Sequence, residues 1–282
     1  MLQIALPNKG ALTGGAVELI QAAGYRCARS NRELLVRDAE NETTFYFLRP
    51  RDIATYVNNG VLDLGITGRD MLIDSQASVE ELLPLGFGRA RLCYAAPRNS
   101  NLLLEGFSGL RIATSFTRLV ARDLERRGIQ ATLVHLDGAV EIAIQLGVAD
   151  AIADLVQTGR TLEEAHLSVV GQPILTTEAI LIARSHAVAD TQPVHLFLQR
   201  IRGILLAREY IMVEYDCPRT SLDAACTITP GIESPTLAPL SNPDWVSVKA
   251  MAKRKETNQI MDALQEIGAK GILVTEIRTC RI

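Results

Sequence analysis

Glu141-Ile-Ala-Ile-Gln-Leu-Gly147-Val-Ala-Asp150-Ala-Ile-Ala-Asp154-Leu-Val-Gln157-Thr158-Gly159-Arg160-Thr161-Leu162 is the stretch on which the reading of this chain turns. Ala151 to Val156 is short and apolar, as a buried strand is, and a small polar run then leads into Thr161-Leu162-Glu163-Glu164. Strand, tight loop and helix start are expected in that order. Such a loop turns successive backbone N–H groups and the positive end of a helix toward one point, where an anion satisfies them. Gly159 lets the backbone come close, while the hydroxyls of Thr158 and Thr161 and the guanidinium of Arg160 add donors. The same residues also fit a plain polar turn from Gln157 to Arg160, with Thr161 as a helix N-cap. Asp154 needs a partner of another chemistry, because a carboxylate closing the strand beside an anion site repels phosphate. Sugar hydroxyls, a metal ion or a developing cation suit it, and phosphate donors beside a carboxylate point to a phosphorylated sugar.

The rest of the chain supplies the context. Its 282 residues are enough for two or three domains with sizeable cores, and 48% hydrophobic with 22% charged residues is the balance of an ordinary globular protein. A net charge of -3 argues against a general nucleic-acid binder. Lys253-Arg254-Lys255 reads as a solvated face or a local site for acidic groups. Met1 to Lys9 enters a strand pattern without a basic leader, and no apolar run is long enough to span a bilayer, so no signal peptide, no membrane contact and a cytoplasmic location are expected. Five scattered cysteines without CxxC spacing read as reduced, packed thiols, and the four histidines form no metal-ligand pair.

Taken in order, Leu2 to Leu6 reads as a strand, Pro7 to Gly10 as a turn and Leu12 to Ala23 as a helix. Lys9 in that turn is either a solvated lysine or a cation within reach of an anion. Leu34 to Val36 and Thr44 to Leu48 read as strands, and Pro50 opens a helix through Val57. Leu62 to Thr67 is a further strand, running into Gly68-Arg69-Asp70. A second α/β unit begins near Arg91, with strands Leu110 to Thr114 and Ala131 to Leu136, a helix Phe116 to Arg127, and a helix Ala139 to Leu146 that carries Glu141 in its first turn. Strands Leu167 to Gly171 and Ala179 to Ala183 follow, and a helix from about Pro193 to Arg208 is expected to return to the first unit. The expected division is residues 1–90 plus 185–209 as one catalytic lobe, 91–184 as the second with the phosphate loop, and 210–282 as a separate domain. Junctions of this kind gather at one sheet edge, where ligands bind. From Tyr210 the order becomes βαββαβ, a ferredoxin-like arrangement suited to binding a small effector.

With these residues placed, the chain resembles the ATP phosphoribosyltransferase family in its long form, which carries a C-terminal regulatory domain. The resemblance spans essentially the whole chain. It rests on Leu6-Pro-Asn-Lys-Gly10, on Asp63-Leu-Gly-Ile-Thr-Gly-Arg-Asp70, on Glu141 to Leu162, on Tyr215-Asp-Cys-Pro218 and on Glu233-Ser-Pro-Thr236. It implies two α/β lobes around a cleft, of the periplasmic-binding-protein kind, plus an ACT-like domain. It also implies transfer of the phosphoribosyl group of 5-phosphoribosyl 1-pyrophosphate (PRPP) to N1 of the adenine of ATP, with Mg²⁺ and release of pyrophosphate, as the first step of histidine synthesis.

On that resemblance the 5′-phosphate lies on Gln157 to Thr161, Asp154 with Glu141 holds the ribose hydroxyls, Lys9 faces the pyrophosphate, and Arg49 and Asp70 serve the ATP side. Adenine N1 already has a lone pair, so positioning and charge stabilisation are expected to carry the catalysis. L-Histidine is the expected inhibitor, held by Asp216, Ser234 and Thr236 with Ile232 and Gly271 completing its pocket, and the chain is expected to form dimers and hexamers. Where the family often reads Tyr-Pro-Asn after the Ile112-Ala-Thr114 strand, this chain has Ser115-Phe116-Thr117-Arg118. A cytosolic amino-acid sensor or ligand-binding protein without catalysis is the other reading.

Overall fold

The computed structural model describes residues 1–29 and 33–281. Strand β1 (Leu2–Pro7), helix α1 (Leu12–Ala22), strands β2 (Leu35–Asp38) and β3 (Thr43–Leu48), helix α2 (Pro50–Asn58), strand β4 (Leu64–Gly68), helix α3 (Arg69–Ser75) and strand β5 (Glu80–Pro84) come first. Strands β6 (Ala90–Pro97) and β7 (Arg111–Thr114), helix α4 (Thr117–Arg127), strands β8 (Thr132–His135) and β9 (Ala151–Val156), helix α5 (Arg160–Glu164) and strand β10 (Leu167–Thr177) follow. After them come β11 (Ala179–Ala183), α6 (His186–Ala189) and α7 (Gln192–Glu209). The last stretch holds β12 (Tyr210–Pro218), α8 (Leu222–Ile228), β13 (Thr236–Pro239), β14 (Trp245–Lys253), α9 (Thr257–Glu266) and β15 (Lys270–Glu276).

Two sheets build the catalytic part, ordered β2-β3-β1-β4-β11-β5 and β10-β6-β9-β7-β8, and each forms one α/β lobe. β1 runs parallel to β3 and β4, and β7 runs parallel to β8 and β9, so the carboxyl ends of these strands share an edge. Asn8, Arg49 and Arg69 leave the first sheet there, and Ser115 and Gln157 leave the second. The interior strands are apolar on both faces, as strands covered on both sides must be. Ile53, Ala54 and Val57 of α2 pack on Ala5, Ile180 and Ile182. Pro50 at the first helical position fixes where that helix starts.

Three expectations are corrected here. Ala179 to Ala183, read as part of the second lobe, lies in the first sheet between β4 and β5, antiparallel to both. Its Ala-Ile-Leu-Ile-Ala run has no polar face and is buried at every position, which only an interior slot provides. Each of the three large side chains contributes about 2 kcal/mol on burial. The chain therefore crosses between lobes at 85–89 and again at Glu178, and the two crossings lie side by side. The Ala179 N–H donates to Phe87 O at 2.9 Å and the Leu85 N–H donates to Ala179 O at 2.9 Å.

The second correction is the helix expected from Ala139 to Leu146, which is a short 3-10 turn, Val140–Ile142, followed by irregular turns. Ala139 and Gly147 both have positive φ and bracket the run, and β-branched Val140, Ile142 and Ile144 disfavour helix in so short a span. Third, contacts divide the chain into residues 1–21 with 25–194 and residues 22–24 with 195–282, so most of α7 goes with the C-terminal unit rather than the first lobe. Arg254 donates to Arg208 O at 2.8 Å and to Ala207 O at 3.3 Å, and the Cys280 N–H donates to Gly203 O at 3.1 Å, which ties α7 to that unit.

In the C-terminal unit four antiparallel strands stand in the order β13-β14-β12-β15, the ferredoxin-like arrangement. Strict alternation along β12 buries Ile211, Val213, Tyr215 and Cys217. That face packs with Ala225, Ile260 and Leu264 of α8 and α9. Among the described residues no helix is long and apolar enough to cross a membrane.

Candidate active site

The cleft between the two lobes holds two adjoining cavities that share Lys9, Gly10, Pro50, Met71 and Leu155. One, of about 470 Å³, is lined by Gln157, Thr158, Gly159, Arg160 and Thr161, with Asp70 and Thr177. The other, of about 590 Å³, is lined by Arg49, Arg51, Ser115, Phe116 and Asp154. Strand order explains the gathering, because β1, β3, β4, β7 and β9 deliver these residues from the same edges.

The Gln157 to Thr161 loop has the strand, glycine turn and helix start that its composition implies. β9 ends at Val156 and Gly159 caps α5 with φ 86°, a left-handed conformation that glycine adopts freely. The first N–H groups of α5 have no carbonyl behind them, and that of Arg160 donates only weakly, to Thr158 Oγ1 at 3.5 Å. Arg160 differs from expectation, since its Nε donates to Glu164 Oε1 at 2.8 Å and its charge is partly spent there. Thr158 and Thr161 are exposed on the cavity wall.

Asp154 is half-buried near the end of β9, and its Oδ1 accepts from the Leu155 N–H at 2.8 Å. Burial pushes its carboxyl up, the Leu155 N–H pulls it part of the way back, and the charges of Glu141 and Arg51 act more weakly in opposite directions. Glu141, on a 3-10 turn rather than a helix, lines neither cavity, and its charge acts on Asp154 from outside them. A carboxylate in the cleft wall accepts hydroxyl donors or faces positive charge.

Of the two residues expected to serve ATP, Arg49 lines the cavity of Asp154 and Asp70 lines the cavity of the Gln157 to Thr161 loop. Asp70 is 2% exposed, and burial holds its carboxyl above the usual range. Its Oδ1 accepts from the Thr177 hydroxyl at 2.6 Å, while the Asp70 N–H donates to the same oxygen of Thr177 at 3.0 Å. Oδ2 is buried without a hydrogen-bond partner. Thr177 and Arg51 carry no motif, so sequence reading gave them no role; only the topology places them in the cleft, with Phe116 of the segment that departs from Tyr-Pro-Asn.

Of the residues expected to hold histidine, Asp216 lies on interior strand β12, two strand spacings or about 10 Å from β13, while Gly271 and Thr236 lie on the two edge strands. Gly271, with φ 60°, falls in the irregular pairing of β15 opposite Asp216. Thr236 opens β13 at the other edge of the sheet, and Ile232 and Ser234 precede it on the chain. Three strand spacings separate the edges, about 14 Å. Among the described residues no three His, Cys, Asp or Glu side chains converge on a metal site.

Comparison with known proteins follows the same division of the chain. The family described as ATP phosphoribosyltransferase matches residues 49–203, and that described as HisG, C-terminal domain matches residues 207–279. A protein of Salinibacter ruber named ATP phosphoribosyltransferase is 57% identical over 283 residues, covering 100% of both chains. Proteins of the same name from Rhodococcus erythropolis and Mycobacterium tuberculosis are 53% and 50% identical, covering 100% of this chain and 99% and 100% of theirs. Among solved structures, the ATP phosphoribosyl transferase (HisG:HisZ) complex from Thermotoga maritima matches with a TM-score of 0.64 at 27% identity, over 72% of this chain and 97% of that one.

Proposed function

We infer the roles of the cleft residues from one premise: the chain belongs to the ATP phosphoribosyltransferase family. It transfers the phosphoribosyl group of PRPP to N1 of the adenine of ATP, releasing pyrophosphate, in the first step of histidine synthesis. The observation that carries the assignment of roles is the pair of cavities that share Lys9 and Leu155 and so place the phosphate loop, Asp154 and Lys9 around one space.

In this reading Gln157 to Thr161 hold the 5′-phosphate of PRPP, and Asp154 with Glu141 holds the ribose hydroxyls. Lys9, exposed in both cavities, faces the pyrophosphate and draws off its developing charge. Arg49 and Asp70 serve ATP from two sides of the cleft. N1 attacks with its own lone pair, so no side chain needs to act as nucleophile. Mg²⁺ is taken to arrive with the substrate phosphates, as is usual for this ion at phosphate sites. Asp154 is an acidic group placed to meet it, and when bound it supplies charge neutralisation at the pyrophosphate. The substrates place the enzyme in the cytoplasm.

The direct test mixes the protein with ATP, PRPP and Mg²⁺ and measures pyrophosphate, which should accumulate only when both substrates are present. Absence of pyrophosphate from a folded protein overturns the reading. Thr161→Ala should raise KM for PRPP about thirtyfold, the equivalent of about 2 kcal/mol for a hydrogen bond to a charged group, with KM for ATP little changed. Unchanged PRPP kinetics would remove Thr161 from the phosphate site.

L-Histidine is the proposed inhibitor of this enzyme, bound at Asp216 and Gly271 on one side and Ile232, Ser234 and Thr236 on the other. Gly271 and Thr236 stand on opposite edge strands of the sheet, with Asp216 on β12 beside Gly271, and histidine is proposed to bind where two chains meet, in keeping with the proposed dimers and hexamers. Inhibition then depends on histidine favouring one arrangement of subunits, and it should not compete simply with ATP. Asp216→Ala should weaken histidine inhibition at least roughly tenfold while uninhibited turnover stays near normal. An unaltered inhibition curve would exclude Asp216 from the effector site.

A further inference from the structure

Helix α4 of the second lobe begins without a cap of its own, since Phe116 at its N-cap position provides no side-chain hydrogen bond. The missing acceptor comes from the other lobe. Asp74, near the end of α3 and 9% exposed, accepts the Leu119 N–H on Oδ1 at 3.0 Å. Leu119 is the third residue of α4, the position an N-cap side chain normally serves.

The service is returned. Arg118 Nη1 donates to Asp74 O at 3.4 Å and to Ser75 O at 3.2 Å, the carbonyls at the end of α3. Each helix thus has its open end closed by the other: an acid from α3 meets the positive end of α4, and a base from α4 meets the negative end of α3. A third member joins them. Arg51 of α2 donates to Asp74 Oδ2 at 3.4 Å, and its guanidinium lies 4.9 Å from the centroid of the Phe116 ring. Arg51 and Phe116 are wall residues of the cavity that holds Arg49 and Asp154.

We propose that Asp74 is a positioning residue for the ATP side of the reaction: by capping α4 across the cleft and holding Arg51, it sets the spacing of the Arg51–Phe116 wall against which ATP is aligned. Arg118 is its counterpart. This rests on the proposed role of Arg49, a wall residue of the same cavity, on the ATP side. Beside the Leu119 N–H, the contact is made by Phe116 and Arg118, which fall in the Ser115-Phe116-Thr117-Arg118 segment that stands where the family often reads Tyr-Pro-Asn. An ordinary helix cap stabilises one helix; this one ties a helix end in each lobe to the width of the cleft between them.

The test compares full-length wild type, Asp74→Ala, Asp74→Asn and Arg118→Met in pyrophosphate release, with KM and kcat for each substrate and a melting curve. Asp74→Ala should raise KM for ATP roughly tenfold, as loss of a charge-assisted hydrogen bond does, and leave KM for PRPP within about twofold. Asp74→Asn keeps an acceptor for the Leu119 N–H and should recover most of that loss. Arg118→Met alters an exposed side chain and should fold normally, yet should raise KM for ATP several-fold; combined with Asp74→Ala it should add less than the two effects separately. A lower melting temperature with both KM values unchanged overturns the proposal, and so does a rise confined to PRPP. Inactivity of wild type would instead overturn the proposed function.

Discussion

Asp154→Asn should leave the protein folded and reduce turnover on the order of 10²-fold, the scale of loss when reacting groups are held but misaligned. The exchange keeps the shape of the side chain and an acceptor for the Leu155 N–H, so β9 is undisturbed. What disappears is the negative charge facing the ribose and the ribosyl cation that develops as pyrophosphate leaves. Stability should move the other way. Burial and Glu141 raise the carboxyl of Asp154 in the folded state, so its ionisation opposes folding increasingly as pH rises from the ordinary carboxylate range through the raised value. At neutral pH the amide escapes that penalty, and Asp154→Asn should melt no lower than wild type. By the same shift, wild-type kcat/KM should begin to fall on acidification at a higher pH than an ordinary aspartate would give. Full turnover with a lowered melting temperature would recast Asp154 as structural.

Asp123→Ala should produce the largest loss of stability away from the cleft, about 3 kcal/mol or more, read as a fall in the urea midpoint with turnover at low denaturant unaffected. Asp123 is 3% exposed and serves three donors: the Tyr94 hydroxyl at 3.1 Å, Arg127 Nε at 2.7 Å, and Arg126. Tyr94 is fully buried, with its ring edge-on to Phe107 at 5.5 Å, so its hydroxyl has no water to turn to once the carboxylate is gone. Asp123→Asn keeps one acceptor for Tyr94 and should lose less. Equal midpoints for Asp123→Ala and wild type would mean that the two arginines find other partners at no cost.

The strand, loop and helix of Ala151 to Glu164 were legible because one short segment carries the whole signal, from apolar run to glycine to acidic first turn. The alternation along β12 and β14 was equally plain. What escaped was set by distant parts of the chain. β11 reads as a strand on its own, but nothing in Ala179 to Ala183 tells which sheet has a slot for it. The Ala139 to Leu146 run has a helix-like apolar pattern and is overruled by the left-handed residues at its two ends. Asp70 and Arg49 both follow first-sheet strands, yet they enter different cavities because Met71 and Pro50 lie on the boundary between the two. Thr177 is an unremarkable threonine until the crossing at Glu178 brings it against Asp70.

The position of β11 has a consequence for synthesis on the ribosome. β5 is complete by residue 84, yet its partner in the sheet is β11, which emerges roughly a hundred residues later; until then β5 has no neighbour to pair with, and β4 has an open edge. The second lobe, contiguous from β6 to β10, has all five of its strands out of the tunnel before that gap can close. Vectorial folding therefore leaves the enclosing sheet unfinished throughout synthesis of the inserted lobe, and a nascent chain stalled with Thr177 just clear of the tunnel and Ala179 still inside it should expose the β4 edge to chaperones.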